Sequence, residues 1–459
     1  MIPPRVANRT FLIVGLGRSG CAAAALLRRH GAQVIGADDA DLATLAASWE
    51  AAGLAGQAAG AFADLLTEQA WHRVDPARLH AVVLSPGVPP DHPGLARLRQ
   101  AGLSVHGELE WSSRFFRGRT VAVTGTNGKS TVTAWIAHVL AGAGRVSPAL
   151  GNLGNPLANL ADQLAEDAVP VIECSSFQLE TIETFRPTVG VVLNLAPDHL
   201  DRYPNVAAYY AAKARLARQV AADGWFITWT ECPAALAWPT SGSRRLFGDP
   251  DTGAVAWYAD GWLRVQHAGR SHAVLPIADL SLQSPPNLVN ALATAAAALP
   301  LVDDPAALAR GLSTFGGLAH RHELVGRLGG IRFVNDSKAT NVHAVCAGLR
   351  GYPGPVVLIA GGSGKGEDYT PLRDVMGSVR HVVTIGREGP AIAAALAGAV
   401  PVSAAADLPA AVAQAAALAA GDATVLLSPA CASFDMFRDY RQRGEVFAAA
   451  ARALGAGKD

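Results

Sequence analysis

Short runs of β-branched and aliphatic residues recur along the chain. Each breaks into a glycine-rich or polar turn and then a segment of helical periodicity. Phe11-Leu12-Ile13-Val14 enters Gly15-Leu16-Gly17-Arg18-Ser19-Gly20, and Cys21 to Arg29 follows as a helix. A second strand, Gln33 to Ile35, ends at Asp38-Asp39, and Ala81 to Leu84 ends in Ser85-Pro86-Gly87-Val88. Thr120 to Val123 enters Thr124-Gly125-Thr126-Asn127-Gly128-Lys129-Ser130, before an apolar-periodic Val132 to Leu140. Pro170 to Ile172 runs into Glu173-Cys174-Ser175-Ser176-Phe177-Gln178-Leu179-Glu180, and Val189 to Leu193 runs into a loop holding Asp198, His199, Asp201 and Arg202. Val206 to Val220 is a helix carrying Lys213. Four later strands, ending near Val334, Ile359, Ile385 and Leu427, break into loops of the same kind.

Repeated strand–turn–helix units predict an α/β protein of parallel sheets, with its ligand-binding edge at the strand C-termini. A chain of 459 residues is too long for one core, and about three domains are expected. The expected domains are a Rossmann-like N-terminal one over 1–117, a P-loop-type ATP-binding one over 118–317, and a second Rossmann-like one over 318–459. Residues 112–118 read as a linker, and Phe434, Phe437, Tyr440 and Phe447 fall at near-helical spacing, most of them as core. Residues 225–275 read as strands and turns without chemistry.

With half of the residues hydrophobic and 17% charged, the chain is a packed globular protein. Its 38 basic and 38 acidic residues cancel, which argues against a nucleic-acid surface and leaves phosphate binding to local sites. Five scattered cysteines without a CxxC pair argue against a disulfide framework or a zinc site and favour a reducing cytosol. The first ten residues lack a signal-type apolar stretch, and alanine-rich segments such as 290–302 are too short to span a bilayer. The reading is therefore a soluble cytoplasmic protein with no membrane partner.

The loop at Thr124 to Ser130 has the chemistry of a phosphate cradle. Glycines admit backbone N–H groups to phosphate oxygens, the helix N-terminus adds positive charge, Lys129 reaches β- and γ-phosphates, and the Ser130 hydroxyl meets Mg²⁺. The fit is partial, because Val123 stands where the general pattern has its first glycine. The 15–20 loop is a full GxGxxG with an acid about twenty residues on. That pattern suits a nicotinamide or flavin enzyme, or a Rossmann-like turn without ligand. Glu173 at a strand end beside the cradle could hold Mg²⁺ or simply neighbour a helix cap. His199 could be a metal ligand or a substrate contact. Lys213 reads by default as a solvated helix residue. Asn287 and Asn290 share a helix face and could read an adenine edge, with N-capping as the alternative.

Taken in order, the loops 125–130, 173–180 and 198–203, followed by Lys213, and then 335–341, 361–366 and 428–435 resemble the Mur ligase family over nearly the whole chain. The last loop and its long helix point to the glutamate-adding member. The resemblance implies an ATP-dependent amide ligase of peptidoglycan precursor synthesis. It would add D-glutamate to UDP-N-acetylmuramoyl-L-alanine through an acyl phosphate, as a cytoplasmic monomer. Gly15, Gly17, Arg18, Ser19, Ser85, Pro86, Gly87 and Asn152 would then contact the UDP-sugar rather than a dinucleotide. Gly125 to Ser130, Asn287, Asn290, Arg321 and Asp336 would bind ATP, which in the family lies between the central and C-terminal domains. Ser130, Glu173, His199 and a carbamylated Lys213 would hold two Mg²⁺. Lys129, His199, Lys213, Lys338 and Lys365 would act in catalysis, and Thr340, Lys365, Ser433, Phe434 and Tyr440 would surround the amino acid. Several positions depart from relatives: Ser363 for Asp, Asp38-Asp39-Ala40 without the Thr-Arg of the uracil site, Phe434 for Leu, Tyr440 for Phe and Pro286 for His. L-Glutamate or another acceptor, a nucleotide-sugar sensor and an NAD-dependent oxidoreductase are the alternatives.

Overall fold

The computed structural model describes residues 4–58, 60–68, 70–364 and 366–457. Three sheets follow one another along the chain. The first contains β1 (Thr10–Val14), β2 (Gln33–Ala37), β3 (Asp64–Leu66), β4 (Ala81–Leu84) and β5 (Val105–Gly107) in the order β3-β2-β1-β4-β5, all parallel. Phe11, Leu12 and Ile13 of its central strand have no exposed surface. A continuous apolar run buried on both faces is what a covered parallel strand requires.

The second sheet contains β6 (Val121–Thr124), β7 (Ala149–Gly151), β8 (Val171–Glu173), β9 (Val189–Val192), β10 (Trp225–Trp229), β11 (Ser243–Gly248), β12 (Ala256–Ala259), β13 (Trp262–His267) and β14 (Arg270–Pro276). Their order is β14-β13-β12-β11-β10-β9-β6-β8-β7. Strands β7 to β12 run parallel, and the region without chemistry supplies an antiparallel tail, β12-β13-β14. The third sheet has β15 (Glu323–Leu328), β16 (Ile331–Asn335), β17 (Val356–Gly361), β18 (Val379–Ile385), β19 (Val402–Ala404) and β20 (Thr424–Leu427) in the order β15-β16-β20-β17-β18-β19. It is parallel except for the edge strand β15.

The chain forms two compact units. One is Met1–Pro276 with Leu292–Leu312, holding the first two sheets; the other is Ile277–Ala291 with Ser313–Asp459, holding the third. The helix Pro285–Val302 is long and apolar enough to cross a membrane, but two thirds of it is buried within the protein.

Within the first unit, the segment expected to be a linker is packed structure. Residues Glu108–Ser113 are helical, and Trp111, Phe115 and Phe116 are buried. A Cβ on Gly118 would lie 2.3 Å from the Glu166 carbonyl oxygen. Three aromatic rings in six residues bury too much apolar surface to stay in solvent. The aromatic spacing after Ser433 also misleads. Helix Tyr440–Ala453 begins after Phe434 and Phe437, so only Phe447 of the four is fully buried and Phe434 is 74% exposed.

Two carboxylates join the first two sheets. Glu108, buried, accepts from the Ala158 N–H at 2.9 Å and from the Ser112 hydroxyl at 3.1 Å; burial pushes its carboxyl up to about 7. Glu110 has no exposed side-chain surface, yet it accepts from the backbone N–H groups of Glu183, Thr184 and Phe185 at 2.8–3.0 Å, from the Thr184 hydroxyl and from Arg114. Burial alone would raise its pKa; these donors outweigh burial and hold it below the usual carboxylate value.

Glu110→Ala should therefore cost about 3–5 kcal/mol, because three backbone N–H groups, that of Phe185 buried, and Arg114 lose a fully buried carboxylate acceptor. Urea unfolding measures this as a lower midpoint, and an unchanged midpoint would mean that water replaces the carboxylate at no cost. The Glu110 contribution should be fully present above the ordinary carboxylate pKa and vanish as pH falls through its depressed folded value.

Candidate active site

The cradle loop leaves β6 and turns into helix Lys129–Gly142 through Gly125 (φ +149°) and Gly128 (φ +83°), both in conformations that favour glycine. Asn194, past the end of β9, braces it. The Asn194 backbone carbonyl accepts from the Thr126 N–H at 2.9 Å, its Oδ1 accepts from the Asn127 N–H at 2.9 Å, and its Nδ2 donates to the Asn127 carbonyl at 3.0 Å. Thr126 Oγ1 donates to the Ala196 carbonyl at 3.1 Å, accepts from the Ala196 N–H at 3.0 Å, and lies 3.3 Å from the Tyr209 hydroxyl. Sequence reading assigned Asn194 and Tyr209 no role. Asn at a strand end beside a glycine loop was the available signal.

Two ammonium groups converge on one oxygen. Lys129 Nζ donates to the Gly125 carbonyl at 3.0 Å and the Thr126 carbonyl at 2.8 Å, and Lys213 Nζ donates to the same Gly125 carbonyl at 2.8 Å. Lys213 is 1% exposed, which overturns the solvated-helix reading. Its ammonium also lies 4.6 Å from the Tyr209 ring centre. Burial, and then the Lys129 charge, drive its pKa well below the ordinary lysine value.

Glu173 ends β8 level with Val123 of β6 and is 2% exposed. Its Oε1 accepts from Asn152 Nδ2 at 2.6 Å, while its buried Oε2 has no hydrogen-bond partner. A buried, half-satisfied carboxylate beside a phosphate-type loop fits a hard cation. Ser130, in the first turn of the helix, is buried. His199 has φ +55° and packs against the Phe177 and Tyr209 rings at 4.9 and 5.9 Å; its Nε2 is 3.9 Å from Asp198 Oδ2.

At the first sheet, a Cβ on Gly15 would lie 2.7 Å from Val88 and 2.8 Å from Ser85, so those two loops share one edge. Asp38 Oδ2 accepts from the Leu16 N–H at 2.8 Å, closing the acid onto the glycine loop. Gly17 and Arg18 are exposed and Ser19 is half-buried. Ser85 and Pro86 line a small cleft with Glu108, Phe177, Gln178 and Glu180.

In the second unit, Asn290 Nδ2 donates to Asn287 Oδ1 at 3.0 Å; both sit inside the helix from Pro285, so Asn287 is not its cap. Asp336 is buried. Its Oδ2 accepts from the Ser428 hydroxyl at 3.0 Å and lies 3.2 Å from His322 Nε2; its Oδ1 faces the His322 N–H at 3.3 Å. Burial raises its pKa despite these partners. Arg321, two positions before β15, is half-buried. Lys338 Nζ stands 4.5 Å over the Tyr440 ring. Ser433 is buried and Thr340 half-buried. Lys365 lies outside the described residues. Arg443 also escaped sequence reading. With no exposed surface, it donates to Ser337 Oγ at 3.0 Å and to the carbonyls of Ser337, Cys431 and Ala432 at 2.8–3.2 Å.

A strand–glycine loop–helix bearing Lys-Ser, with a buried acid at the end of the neighbouring strand, defines a nucleotide-binding enzyme of the P-loop type. The Mur ligase middle domain profile matches residues 123–298, and that of the Mur ligase glutamate ligase domain matches residues 320–431. The chain belongs to the Mur ligase family. It is 39% identical to the UDP-N-acetylmuramoylalanine–D-glutamate ligase of Acidobacterium capsulatum, over 96% of this chain and 95% of that protein. It is 42% identical to the ligase of the same name from Frankia casuarinae, over 97% and 94%. Among solved structures, the UDP-N-acetylmuramate–alanine ligase of Thermotoga maritima shares the fold, with a TM-score of 0.59 at 17% identity over 97% of this chain and 100% of that one. The expected family and three-part α/β architecture are thus established.

The buried Lys213 makes stability depend on pH. The unfolded chain keeps this proton up to about pH 10.5, whereas the folded chain releases it lower. Stability should rise with pH inside that window, by about 1.4 kcal/mol per unit. In CO₂-free buffer, Lys213→Met should lose this slope. Urea midpoints of both proteins, followed upward in pH toward the ordinary lysine value, test it; parallel curves all the way up would show that Lys213 stays charged.

Proposed function

We propose that the protein catalyses the ATP-dependent joining of D-glutamate to UDP-N-acetylmuramoyl-L-alanine, the reaction for which its full-length relatives are named. The observation that carries this reading is Lys129 and Lys213 on one cradle carbonyl, in a chain that also buries the unpartnered Glu173 Oε2.

In the proposed reaction the carboxylate of the UDP-sugar substrate attacks the γ-phosphorus of ATP, and ADP leaves. The amine of D-glutamate then attacks the acyl phosphate, and the tetrahedral adduct expels phosphate to leave the amide. Lys129 swings from its loop carbonyls to the γ-phosphate, so its charge is neutralised where negative charge develops. The N–H groups of the Gly125 to Ser130 loop hold the remaining phosphate oxygens. Burial, and then the Lys129 charge, favour the neutral form of Lys213, whose free amine attacks CO₂; the proton goes to solvent and a carbamate remains. Ser130, Glu173, His199 and that carbamate would hold Mg²⁺, which supplies charge neutralisation to the phosphates when bound.

Asn287 and Asn290 are assigned to adenine, Asp336 to the ribose and Arg321 to a phosphate. Lys338, Thr340, Lys365, Ser433, Phe434 and Tyr440 are assigned to the amino acid, and Gly15, Gly17, Arg18, Ser19, Ser85, Pro86, Gly87 and Asn152 to the UDP-sugar. The same reading divides the chain into domains at 1–117, 118–317 and 318–459 and has it work as a cytoplasmic monomer.

The test is phosphate release from ATP with UDP-N-acetylmuramoyl-L-alanine and D-glutamate, L-glutamate or no amino acid. Release that depends on D-glutamate is expected. Preference for L-glutamate would reassign the pocket around Phe434 and Tyr440, and no release with any amino acid would overturn the ligase. Lys129→Ala should lower kcat by about 100-fold or more. Lys213→Ala should abolish turnover and regain part of it with added formate or acetate; full activity without them would remove the carbamate.

A further inference from the structure

On the first sheet, away from the cradle, three side chains with metal-ligating atoms meet from three separate loops. Asp39 follows β2. His72 lies in the short 3₁₀ turn Ala70–Arg73, and His92 caps the helix Pro93–Gln100. One atom of each lies within 4.8 Å of the other two. His92 Nε2 is 3.3 Å from Asp39 Oδ2, and His72 Nε2 is 3.9 Å from Asp39 Oδ1. We propose that Asp39, His72 and His92 form a site for a borderline transition-metal cation, Zn²⁺ or Co²⁺, which clasps the three loops together.

Three features point to a ligand rather than to a plain ion pair. First, His72 Nε2 is buried and makes no hydrogen bond. An unpaired ring nitrogen there is a cost that a metal bond removes. Second, the donors are set by their neighbours, as metal ligands are. Trp71 Nε1 donates to Asp39 Oδ1 at 2.9 Å, and the buried Trp71 ring packs edge-on against His72 at 4.3 Å and tilted against His92 at 5.4 Å. Gly94 leaves the room that His72 occupies, since a Cβ there would lie 2.6 Å from His72 Nε2. Third, the spacing is near the target. Ligand atoms around tetrahedral Zn²⁺ sit about 3.3 Å apart, so the cluster needs only a modest contraction of half-exposed side chains. Two imidazoles and one carboxylate suit Zn²⁺ or Co²⁺ and not Mg²⁺, and a fourth position stays open for water.

The geometry also limits the affinity. His92 Nδ1 accepts from the Gly94 N–H at 3.2 Å, so its Nε2 carries the proton that faces Asp39. A metal at Nε2 requires that proton to move to Nδ1 and the contact with Gly94 to open. Binding should therefore be weaker than at a closed structural zinc site. The proposal does not depend on the ligase reading.

The experiment is a Co²⁺ titration of the full-length, chelator-stripped protein in excess Mg²⁺, read by visible d–d absorption. One equivalent should bind, with Zn²⁺ displacing it. His72→Ala and His92→Ala should each weaken binding by about 100-fold, and Gly94→Ala, which removes no ligand, by about 10-fold. His72→Asn and His92→Asn repeat the test should an alanine variant fail to fold; His92→Asn keeps a capping side chain. Zn²⁺ should raise the Tm of the native protein and not of the His variants. No d–d spectrum, or a spectrum unchanged in both His variants, or one lost in His199→Ala while His72→Ala retains it, would overturn the site.

Discussion

The Gly125 carbonyl accepts from two lysines, and much of the first unit's chemistry depends on that arrangement. A lone carbonyl cannot neutralise two ammonium groups at low dielectric, so one of them has to give up its proton or find an anion. Lys213 is the more buried of the pair, and burial drives its pKa down. The loop and Lys129 are thus charged for a polyanion before one arrives. Asn194 and Thr126 fix the carbonyl in place, and the glycine conformations at 125 and 128 let it point where both lysines reach.

The first two sheets share this rigidity. Glu110 gathers three backbone N–H groups next to β9, and Glu108 reaches the Ala158 N–H. Ser85, after β4, and Gln178, in the helical turn after β8, line one cleft. The glycine loop after β1, the Ser85 loop after β4 and the cradle loop after β6 are carried by one compact body.

Strand positions, their order of appearance and the loops at their ends were legible because hydrophobic runs ending in glycine-rich loops are local signals. Lys129, Ser130 and Glu173 could be placed for the same reason. Lys213 was legible only by resemblance, since a lysine among alanines carries no local mark of burial. Residues that act across long sequence separations were not legible. Asn194 braces a loop on another strand, Arg443 joins two loops from a helix that follows both, and His322 engages Asp336 from the preceding strand's entry. The aromatic segment 111–116 misled because its polar neighbours resemble a linker, while its rings fill the seam between sheets. Cysteine spacing pointed away from zinc, yet the Asp39, His72 and His92 cluster uses none of the five cysteines and is assembled by topology alone.

Arg443 binds the carbonyls of Ser337 on one loop and of Cys431 and Ala432 on another, from a fully buried position. No single loop can shift without breaking bonds that the other shares, and a buried guanidinium that loses acceptors is costly. The two loops consequently behave as one mechanical part, hinged on a helix residue rather than on their own sequences. Amino-acid changes tolerated in one loop are then conditional on the other, so the two loops should diversify by paired changes and resist single ones.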